Sequence, residues 1–308
     1  MSDNQIHVTV TNFRAEWGAT AVNLDHMREI AKASAGSDIL VFPETALTGY
    51  DNLPEIPKAE KMQIRTAETV PGPSTETLLK TAEEYGMIII FGMIERDITD
   101  PDRVYNSAVV LKPEGETLSY RKIHLPGDEG DWASCGSSPM VFDTAWGPVG
   151  LSICYDTYSF PELIRYSRAK GARLHINCTA CDEYVYEQVP FRLQLEERAL
   201  TNNVYIATSG MCGPGLNRRF VGGSSIISIS SESKKEIEYL AGLPFGAEGG
   251  DAEAVYSAVL DLEAIDERFN TPLFDKNART GRPDFAPEVY ARMYAELAES
   301  ADWKGKCV

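Results

Sequence analysis

The sequence is poor in histidine, in cysteine and in positive charge. Its 308 residues include four histidines and six cysteines, and 29 basic side chains stand against 46 acidic ones, which gives a formal net charge of −17. A chain this acidic has little with which to build a basic patch for nucleic acid or for an anionic membrane surface. We therefore expect neither nucleic acid nor a membrane as a partner.

Long apolar segments are also missing. No apolar run approaches the length of a membrane-spanning helix, and residues 1–5 are polar and contain no apolar signal segment. The cysteines are irregularly spaced, which is not typical of a disulfide framework in a chain of this length. We therefore expect a soluble protein of the reducing cytosol.

Apolar residues make up 43% of the chain, which is enough to bury a sizeable core. Short strand candidates are interleaved with helix candidates, a pattern that predicts an α/β protein whose helices cover its sheets. The strand candidates cover residues 7–10, 39–42, 87–94, 107–111, 149–153, 173–177, 204–209, 224–229 and 254–260. The helix candidates cover residues 19–35, 73–85, 161–170, 189–203 and 287–300.

Two further features bear on the architecture. Pro113-Glu114-Gly115 forms a turn in a hairpin-like stretch, which argues against a purely parallel sheet. No Pro/Gly/Ser-rich linker divides the chain. We predict one domain of two sheets over residues 1–270 and a C-terminal extension, residues 271–308, that packs on the domain or on a partner subunit.

Cys154 lies where a strand candidate meets a helix candidate. In VGLSICYDTYSFPELIRY, residues 149–166, apolar residues alternate up to Ile153, and Pro161 is typical of the first turn of a helix. Such a junction can hold a catalytic thiol rigidly at the edge of a sheet. The alternative is a buried structural cysteine, which behaves as a small apolar residue.

Two other stretches share this geometry. Glu44 follows the strand candidate in DILVFPETALTGY, and Lys122 follows an extended stretch in YRKIHLPGDEGDW. If the three strands lie side by side, a carboxylate, an ammonium and a thiol can meet at one rim. The carboxylate would take the thiol proton, and the ammonium would lower the thiol pKa. The ammonium and the backbone N–H of Tyr155 would stabilise an oxyanion.

The histidines are weaker partners for the thiol. His7 lies early in a strand candidate, His26 in a surface-type helix, and His175 inside an apolar strand, where a core histidine is the simpler interpretation. His124 would share one face of an extended chain with Lys122. None of the four has a stronger claim than Glu44 to be the base.

These stretches resemble the nitrilase superfamily of carbon–nitrogen hydrolases. Its Glu-Lys-Cys triad matches Glu44 in FPETALTGY, Lys122 in YRKIHL and Cys154 in SICYD. The segments YNSAVVLKPEG, FPELIR and FVGGSSI also fit, and the resemblance covers about residues 5–265. It implies a four-layer αββα sandwich of two mixed sheets with outer helices.

The resemblance implies further site residues. Many members carry a second active-site glutamate shortly after the lysine, and we assign it to Glu129 in PGDEGDW, against the alternative of an exposed acidic loop. Tyr50, Cys178 and Thr179 are expected beside the substrate, with Tyr155 at the oxyanion. The resemblance implies no metal and no organic cofactor, and it implies a homodimer or a higher homo-oligomer.

The residues that follow Cys154 indicate which branch of the nitrilase superfamily the chain resembles. Cys154-Tyr155-Asp156 resembles the amidase and carbamoylase branches, whereas true nitrilases have Cys-Trp-Glu there. The run CYDTYSFPE has the length seen in aliphatic-amidase-like members. We predict hydrolysis of a small non-peptide amide through a cysteine thioester, releasing ammonia or an amine. An N-carbamoyl amidohydrolase with the same triad is the alternative, ahead of a nitrilase or a non-catalytic ligand-binding homologue.

The segment NCTAC, residues 177–181, leaves another class of protein open. Cys178 and Cys181 form a C-x-x-C pair, which can indicate a redox or metal-binding protein. No second pair and no His-x-His partner occurs at zinc-like spacing. We interpret the two cysteines as shaping the substrate space.

Overall fold

The structure is a computed structural model that describes residues 4–233, 236–267 and 286–299. Its strands are β1 (Gln5–Asn12), β2 (Ile39–Val41), β3 (Ile88–Arg96), β4 (Val104–Leu111), β5 (Thr117–Arg121), β6 (Met140–Thr144), β7 (Gly147–Ile153), β8 (Leu174–Thr179), β9 (Tyr205–Gly210), β10 (Cys212–Pro214), β11 (Arg219–Val221), β12 (Ser225–Ile229), β13 (Ile237–Gly242) and β14 (Ala254–Asp261). Its α-helices are α1 (Thr20–Ala33), α2 (Met62–Thr66), α3 (Pro73–Tyr85), α4 (Tyr155–Ser159), α5 (Pro161–Ala169), α6 (Glu183–Tyr186), α7 (Phe191–Asn202), α8 (Leu262–Glu267) and α9 (Pro287–Glu299).

Twelve of these strands form two six-stranded sheets. The first has the order β14-β1-β2-β3-β4-β5, and the second has the order β13-β12-β9-β8-β7-β6. In the first sheet β1, β2 and β3 are parallel, and in the second β7, β8 and β9 are parallel, while the outer strands pair antiparallel. Both sheets are mixed, as the sequence predicts. The strands β10 and β11 form a separate ribbon.

The side-chain alternation of the strands explains the layers. In β3, Ile88 and Ile90 pack in a core that they share with residues of the second sheet, whereas Ile89 and Phe91 pack in a core that they share with α1 and α3. Because both faces of the sheet are covered, its central strands are continuously apolar. The helices α5 and α7 pack against the second sheet and contribute Ile164 and Leu195 to the same cluster of buried residues. The predicted four-layer αββα sandwich is therefore confirmed.

Helix ends follow local sequence signals. Pro73 occupies the first turn of α3, and Gly86 ends it in the left-handed region at φ 65°. Every strand and helix candidate coincides with an observed element to within a few residues, and the predicted hairpin turn joins β4 to β5. No helix in the described part of the chain is both long and apolar enough to cross a bilayer.

The described piece of the C-terminal extension is α9. Its side chains are all exposed, and the Tyr294 hydroxyl donates to Glu162 Oε1 on α5 at 2.6 Å. Residues 271–285 and 300–308 of the predicted extension lie outside the described ranges. The domain boundary at residue 270 and the packing of the extension on a partner stay predictions.

The cysteines do not form a framework in the described ranges. Cys154, Cys178, Cys181 and Cys212 are free and buried, while Cys135 is disulfide-bonded. The free thiols of the described residues are therefore all buried, and Cys154, Cys178 and Cys181 come from neighbouring segments of the second sheet.

Candidate active site

Glu44 follows β2 on a tight turn that β3 holds in place. The Gly92 N–H donates to the Pro43 carbonyl at 2.9 Å, and the Leu47 N–H donates to the Gly92 carbonyl at 3.2 Å. A Cβ on Gly92 would collide with the Thr45 nitrogen and lie 2.6 Å from the Glu44 carbonyl carbon. Glycine is thus required for β3 to approach this turn. The turn directs the Glu44 side chain into the protein, where it is completely buried.

Lys122 follows β5 and lies between two carboxylates. Its Nζ is 2.7 Å from Glu44 Oε1 and 2.7 Å from Glu129 Oε2, and all three side chains are buried. Burial acts to lower the pKa of Lys122, but the charges of Glu129 and Glu44 outweigh it and raise that pKa. Lys122 is therefore an ammonium throughout the physiological pH range.

Two neutral side chains complete this cluster. Asn106 Nδ2 donates to Glu44 Oε1 at 2.7 Å and to Glu129 Oε1 at 2.8 Å. The Tyr50 hydroxyl donates to Glu129 Oε2 at 2.7 Å. Glu129 is only 1% exposed, so it is not part of an exposed acidic loop. Sequence analysis missed Asn106, although it lies in the segment YNSAVVLKPEG that supported the resemblance.

Cys154 joins β7 to α4 in a conformation that L residues rarely adopt, with φ 48° and ψ −105°. The Cys154 N–H donates to the Cys178 carbonyl at 2.9 Å and to Asn177 Oδ1 at 3.1 Å. Backbone strain of this kind persists where the surroundings fix it, and it is concentrated at functional sites. The predicted display of the thiol at a strand-to-helix junction is observed.

The Cys154 thiol interacts with the side chains of Cys181 and Thr179. The hydrogen bond with Cys181 and burial raise the pKa of Cys154, whereas Lys122 and Thr179 act to lower it. Burial also raises the pKa of Glu44 well above its ordinary value of 4.5; negative charge at Cys154 acts in the same direction, and Lys122 opposes it. A carboxylate with a raised pKa holds a proton more readily, which suits a base that accepts the thiol proton.

The other predicted substrate-side residues surround Cys154. Tyr155 is the first residue of α4, so its N–H is one of the donors that an α-helix leaves without an intrahelical partner. Cys178 is fully buried and supplies its carbonyl to the Cys154 N–H. Thr179 Oγ1 is 3.2 Å from the Tyr158 hydroxyl. That these residues bind substrate or oxyanion stays a prediction.

The C-x-x-C pair does not behave as a unit. Cys181 Sγ is 3.2 Å from Thr179 Oγ1, whereas the pKa of Cys178 is raised by burial and by the charge of Glu44. No group of three or more His, Cys, Asp or Glu side chains within the described ranges could hold a metal ion. The geometry places both cysteines in the wall around Cys154.

Asp156 ties the segment of Lys122 to the segment of Cys154. Its Oδ2 accepts from the Tyr120 hydroxyl at 2.6 Å and from the Ile123 N–H at 3.0 Å. Its Oδ1 accepts the His124 N–H at 2.9 Å and lies 2.7 Å from His124 Nδ1. His124 is therefore engaged by Asp156. Sequence analysis used Asp156 only as a sign of the branch and missed this role.

We expect Asp156→Asn to lower both stability and activity. Four groups converge on the fully buried carboxylate, and an amide would turn an NH₂ toward two of them. Leaving buried donors unsatisfied costs about 1–3 kcal/mol, and the loosened segments should lower kcat. Urea unfolding and steady-state kinetics measure both effects, and Asp143→Asn, at an exposed position of β6, is the control. An Asp156→Asn protein as stable and as active as wild type would show that Asp156 positions nothing.

Arg218 lies at the rim of the site. It donates to Asp128 Oδ2 at 3.0 Å and to Asp182 Oδ2 at 3.1 Å, and its guanidinium carbon is 5.8 Å from the centre of the Tyr50 ring. Asp128 also accepts from Asn52 Nδ2 at 3.1 Å. Asp128 is thus paired within the protein.

Comparison with known proteins places this geometry in context. The family described as carbon-nitrogen hydrolase matches residues 8–265, a range that includes Glu44, Lys122, Glu129 and Cys154. The chain is 32% identical over 264 residues to omega-amidase NIT2 of Xenopus tropicalis, covering 80% of this chain and 85% of that protein. It is 26% identical over 270 residues to a probable nitrilase of Schizosaccharomyces pombe, covering 87% and 89%.

A solved structure shares the fold. Nit3 of Saccharomyces cerevisiae, described as a member of branch 10 of the nitrilase superfamily, superposes with a TM-score of 0.75 at 23% sequence identity. The match covers 89% of this chain and 96% of that one. The αββα architecture is therefore the same in both.

Proposed function

This chain belongs to the carbon–nitrogen hydrolase family of the nitrilase superfamily, and from that premise we propose that it hydrolyses the C–N bond of a small non-peptide amide through a thioester on Cys154. The observation that carries the proposal is the buried cluster of Glu44, Lys122 and Glu129 beside a thiol held at a strained junction. This arrangement offers a base, a fixed positive charge and a nucleophile in one place.

Acylation begins with proton transfer. Glu44 accepts the thiol proton of Cys154, and the sulfur attacks the amide carbonyl carbon. An ammonium has three N–H donors, and Lys122 directs two of them to Glu44 and Glu129. The third can donate to the developing oxyanion, together with the Tyr155 N–H at the start of α4.

Breakdown of the tetrahedral intermediate returns the proton. Glu44 donates it to the departing nitrogen, the C–N bond breaks, and ammonia or an amine leaves while the acyl group stays on Cys154. Water then attacks the thioester with Glu44 again accepting a proton, which releases the carboxylic acid and the free thiol. Glu129 holds Lys122 and Asn106 in place and can accept a hydrogen bond from the amide N–H.

An ammonia-release screen tests the proposal, because it compares substrate classes directly. Small amides, N-carbamoyl compounds and nitriles with matched side chains are offered to the same enzyme preparation. Turnover of amides with ammonia as product supports the proposal. Turnover of N-carbamoyl compounds in preference to amides selects the carbamoylase alternative, in which the carbamate product loses carbon dioxide. Turnover of none of the three contradicts catalysis by this site.

We expect each amide to be hydrolysed with a higher kcat/KM than its matching nitrile. Attack on an amide produces an anionic oxygen, which Lys122 and the Tyr155 N–H would stabilise, whereas attack on a nitrile produces a thioimidate with no such oxygen. The sequence Cys154-Tyr155-Asp156, which resembles the amidase and carbamoylase branches, also favours the amide over the nitrile. A relative of this chain carries a nitrilase name, so the comparison is informative. A nitrile preferred over its amide would move the protein to the nitrilase branch and leave the triad intact.

Homo-oligomeric assembly and a cytoplasmic location belong to the same proposal. The resemblance to the superfamily supports the oligomer, and the acidic composition of the chain is consistent with the location. Hydrolysis by this mechanism uses only side chains and backbone groups of this chain and one water molecule.

A further inference from the structure

A row of polar side chains is buried next to the nucleophile. In the second sheet, Ser152 of β7, Asn177 of β8 and Thr208 of β9 are paired across neighbouring strands. His175 lies two residues before Asn177 on the same face of β8, and Thr157 lies on α4. None of the five side chains is more than 1% exposed. Buried polar groups are costly unless they are hydrogen-bonded, so each of the five needs a partner within the protein.

Asn177 makes every hydrogen bond that its side chain allows. Its Oδ1 accepts from the Cys154 N–H at 3.1 Å and from the Thr157 hydroxyl at 2.8 Å. Its Nδ2 donates to the Tyr158 hydroxyl at 3.1 Å and to Thr208 Oγ1 at 3.3 Å. A carboxamide has two acceptor and two donor positions, and all four are used. Because a backbone N–H can only donate, the contact with Cys154 fixes which end of the carboxamide is the oxygen.

The order of the hydrogens in the remaining contacts follows from Asn177. Its Oδ1 can only accept, so the Thr157 hydroxyl gives its hydrogen to that oxygen. The Ser152 hydroxyl, which is 2.6 Å from Thr157 Oγ1, must then donate to Thr157. His175 Nε2, which is 2.8 Å from Ser152 Oγ, must in turn carry a hydrogen and donate it to Ser152. The hydrogen bonds therefore run in one direction, from His175 to Asn177.

The first member of this chain of hydrogen bonds is a neutral histidine. Burial lowers the pKa of His175 to about 3, so the ring is neutral at physiological pH and carries one N–H. With that hydrogen on Nε2, Nδ1 is an acceptor for the Ser167 hydroxyl of α5 at 3.1 Å. Gly150 makes room for this contact, since a Cβ there would lie 2.5 Å from His175 Nδ1 and 2.6 Å from Ser167 Cβ. His175 is thus fixed between β7 and α5.

These contacts lie on both sides of the peptide that joins Cys154 to Tyr155. Asn177 binds the Cys154 N–H on one side, and on the other it binds Thr157 and Tyr158 in the first turn of α4. The rare conformation of Cys154, with φ 48°, persists only where the surroundings fix it. That conformation also sets the direction of the Tyr155 N–H. Asn177 therefore holds two groups that the proposed hydrolysis needs together, the thiol and the oxyanion donor.

We propose that Asn177 is a positioning residue for the Cys154 thiol and the Tyr155 N–H. The chain of hydrogen bonds that begins at His175 orients its carboxamide. The inference rests on the proposed amide hydrolysis, because it assigns Asn177 to the stabilisation of the oxyanion in that reaction. A small displacement of an aligned group lowers the rate of the chemical step. Loss of Asn177 should therefore affect kcat more than KM.

Replacing Asn177 with leucine removes all four hydrogen bonds at a similar side-chain size. We expect kcat to fall by about 10²-fold, as for a lost oxyanion donor, while KM changes much less. The matched control is Asn12→Leu, because Asn12 is also buried and also binds backbone groups, the Gly250 and Ala252 carbonyls. A kcat of Asn177→Leu equal to that of wild type, or an equal fall in both variants measured on folded protein, would overturn the proposal.

Backbone hydrogen exchange tests the positioning role without a substrate. We expect the amides of residues 154–159 to exchange faster in Asn177→Leu than in wild type, with no such change in Asn12→Leu. Unchanged exchange in Asn177→Leu would overturn the positioning role. Faster exchange, in a protein whose wild type hydrolyses no amide, would support the positioning role and count against the amidase proposal alone.

A pair of smaller changes tests the chain of hydrogen bonds. Thr157→Val removes one hydroxyl and keeps the shape of the side chain, so the carboxamide of Asn177 loses one of its four partners. We expect kcat to fall, though by less than in Asn177→Leu. Thr157→Ser keeps the hydroxyl and should recover most of the lost kcat. Equal kcat in the two Thr157 variants would contradict the chain.

Nitrogen NMR of isotopically labelled histidine rings tests the order of the hydrogens directly. The signals of His175 are identified by their absence from the spectrum of His175→Leu. We expect a neutral ring with its hydrogen on Nε2 at every pH between about 5 and 8. A hydrogen on Nδ1, or a ring that becomes charged within that range, would overturn the assigned chain from His175 to Asn177.

Discussion

Replacing Cys154 with alanine is expected to abolish turnover and leave the fold intact. Removal of a covalent nucleophile removes the acyl-enzyme route altogether. The backbone contacts that fix the junction, from the Cys154 N–H to the Cys178 carbonyl and Asn177 Oδ1, do not involve the sulfur and persist in the variant. Steady-state kinetics and urea unfolding measure the two expectations separately.

The control for this variant is Cys212→Ala. Cys212 is also a buried free thiol, so its replacement removes the same atom from a packed environment. We expect a similar small change in unfolding free energy and no loss of kcat. If Cys154→Ala keeps activity within about tenfold of wild type, the covalent mechanism is wrong.

Replacing Lys122 with methionine is the second change with a large expected effect. The ammonium is the fixed positive charge of the site, and its charge matters most for the developing oxyanion. Loss of one oxyanion donor typically lowers kcat by about 10² to 10³. We therefore expect kcat to fall by about that factor while KM changes much less. A raised KM with unchanged kcat would assign Lys122 to substrate binding instead.

Lys122→Met also has an expected cost in stability. Removal of the ammonium leaves Glu44 and Glu129 facing each other without a cation, and breaking a buried ion pair in this way costs about 3–5 kcal/mol. Protonation of Glu44 or Glu129 removes part of the repulsion between the two carboxylates. The loss of stability should therefore be smaller at low pH. Urea unfolding at two pH values measures it, and kinetics on the folded fraction keep the loss of kcat distinct from unfolding.

Lys112→Met serves as the matched control. Lys112 is a second buried lysine at the end of β4, and its Nζ pairs with Glu116 at 2.5 Å outside the site. Replacement of Lys112 should alter the free energy of unfolding without the fall in kcat that is expected for Lys122→Met. An equal fall of kcat in both variants would show that the effect of Lys122→Met is not specific to the site.

Most strands and helices were predictable because their signals are local, whereas the four-layer arrangement was implied by the resemblance to the superfamily. The ends of α3 carry a proline and a glycine in the positions that begin and end helices, and the central strands are apolar runs of strand length. The strands β6, β10, β11 and β13 were missed. Ile237–Gly242 of β13 is only half-buried, and β10 and β11 have three residues each, so none of them shows the alternation or length that identifies a strand.

From the pattern of residues alone, the site could be predicted only where it follows strands, whereas Glu129 and Tyr50 were assigned through the resemblance to the superfamily. Glu44, Lys122 and Cys154 each come directly after an extended segment, and the order of the motifs identified them as a set. Asn106 and Asp156 could not be found in this way. Asn106 bridges two carboxylates only because β4 pairs between β3 and β5, and Asp156 collects donors from a segment more than thirty residues away. Such roles depend on tertiary pairing, which a linear pattern does not contain.

The most direct test of the covalent mechanism is the mass of the protein during turnover. A reaction with a small amide is stopped with acid while substrate remains. The masses of the intact protein and of its peptides are then measured by mass spectrometry. The mechanism predicts a population heavier by the acyl group, with the added mass on the peptide that contains Cys154, and no such population in Cys154→Ala. Turnover of the amide with no adduct on Cys154 under conditions that trap thioesters, or with the adduct on another residue, would contradict it.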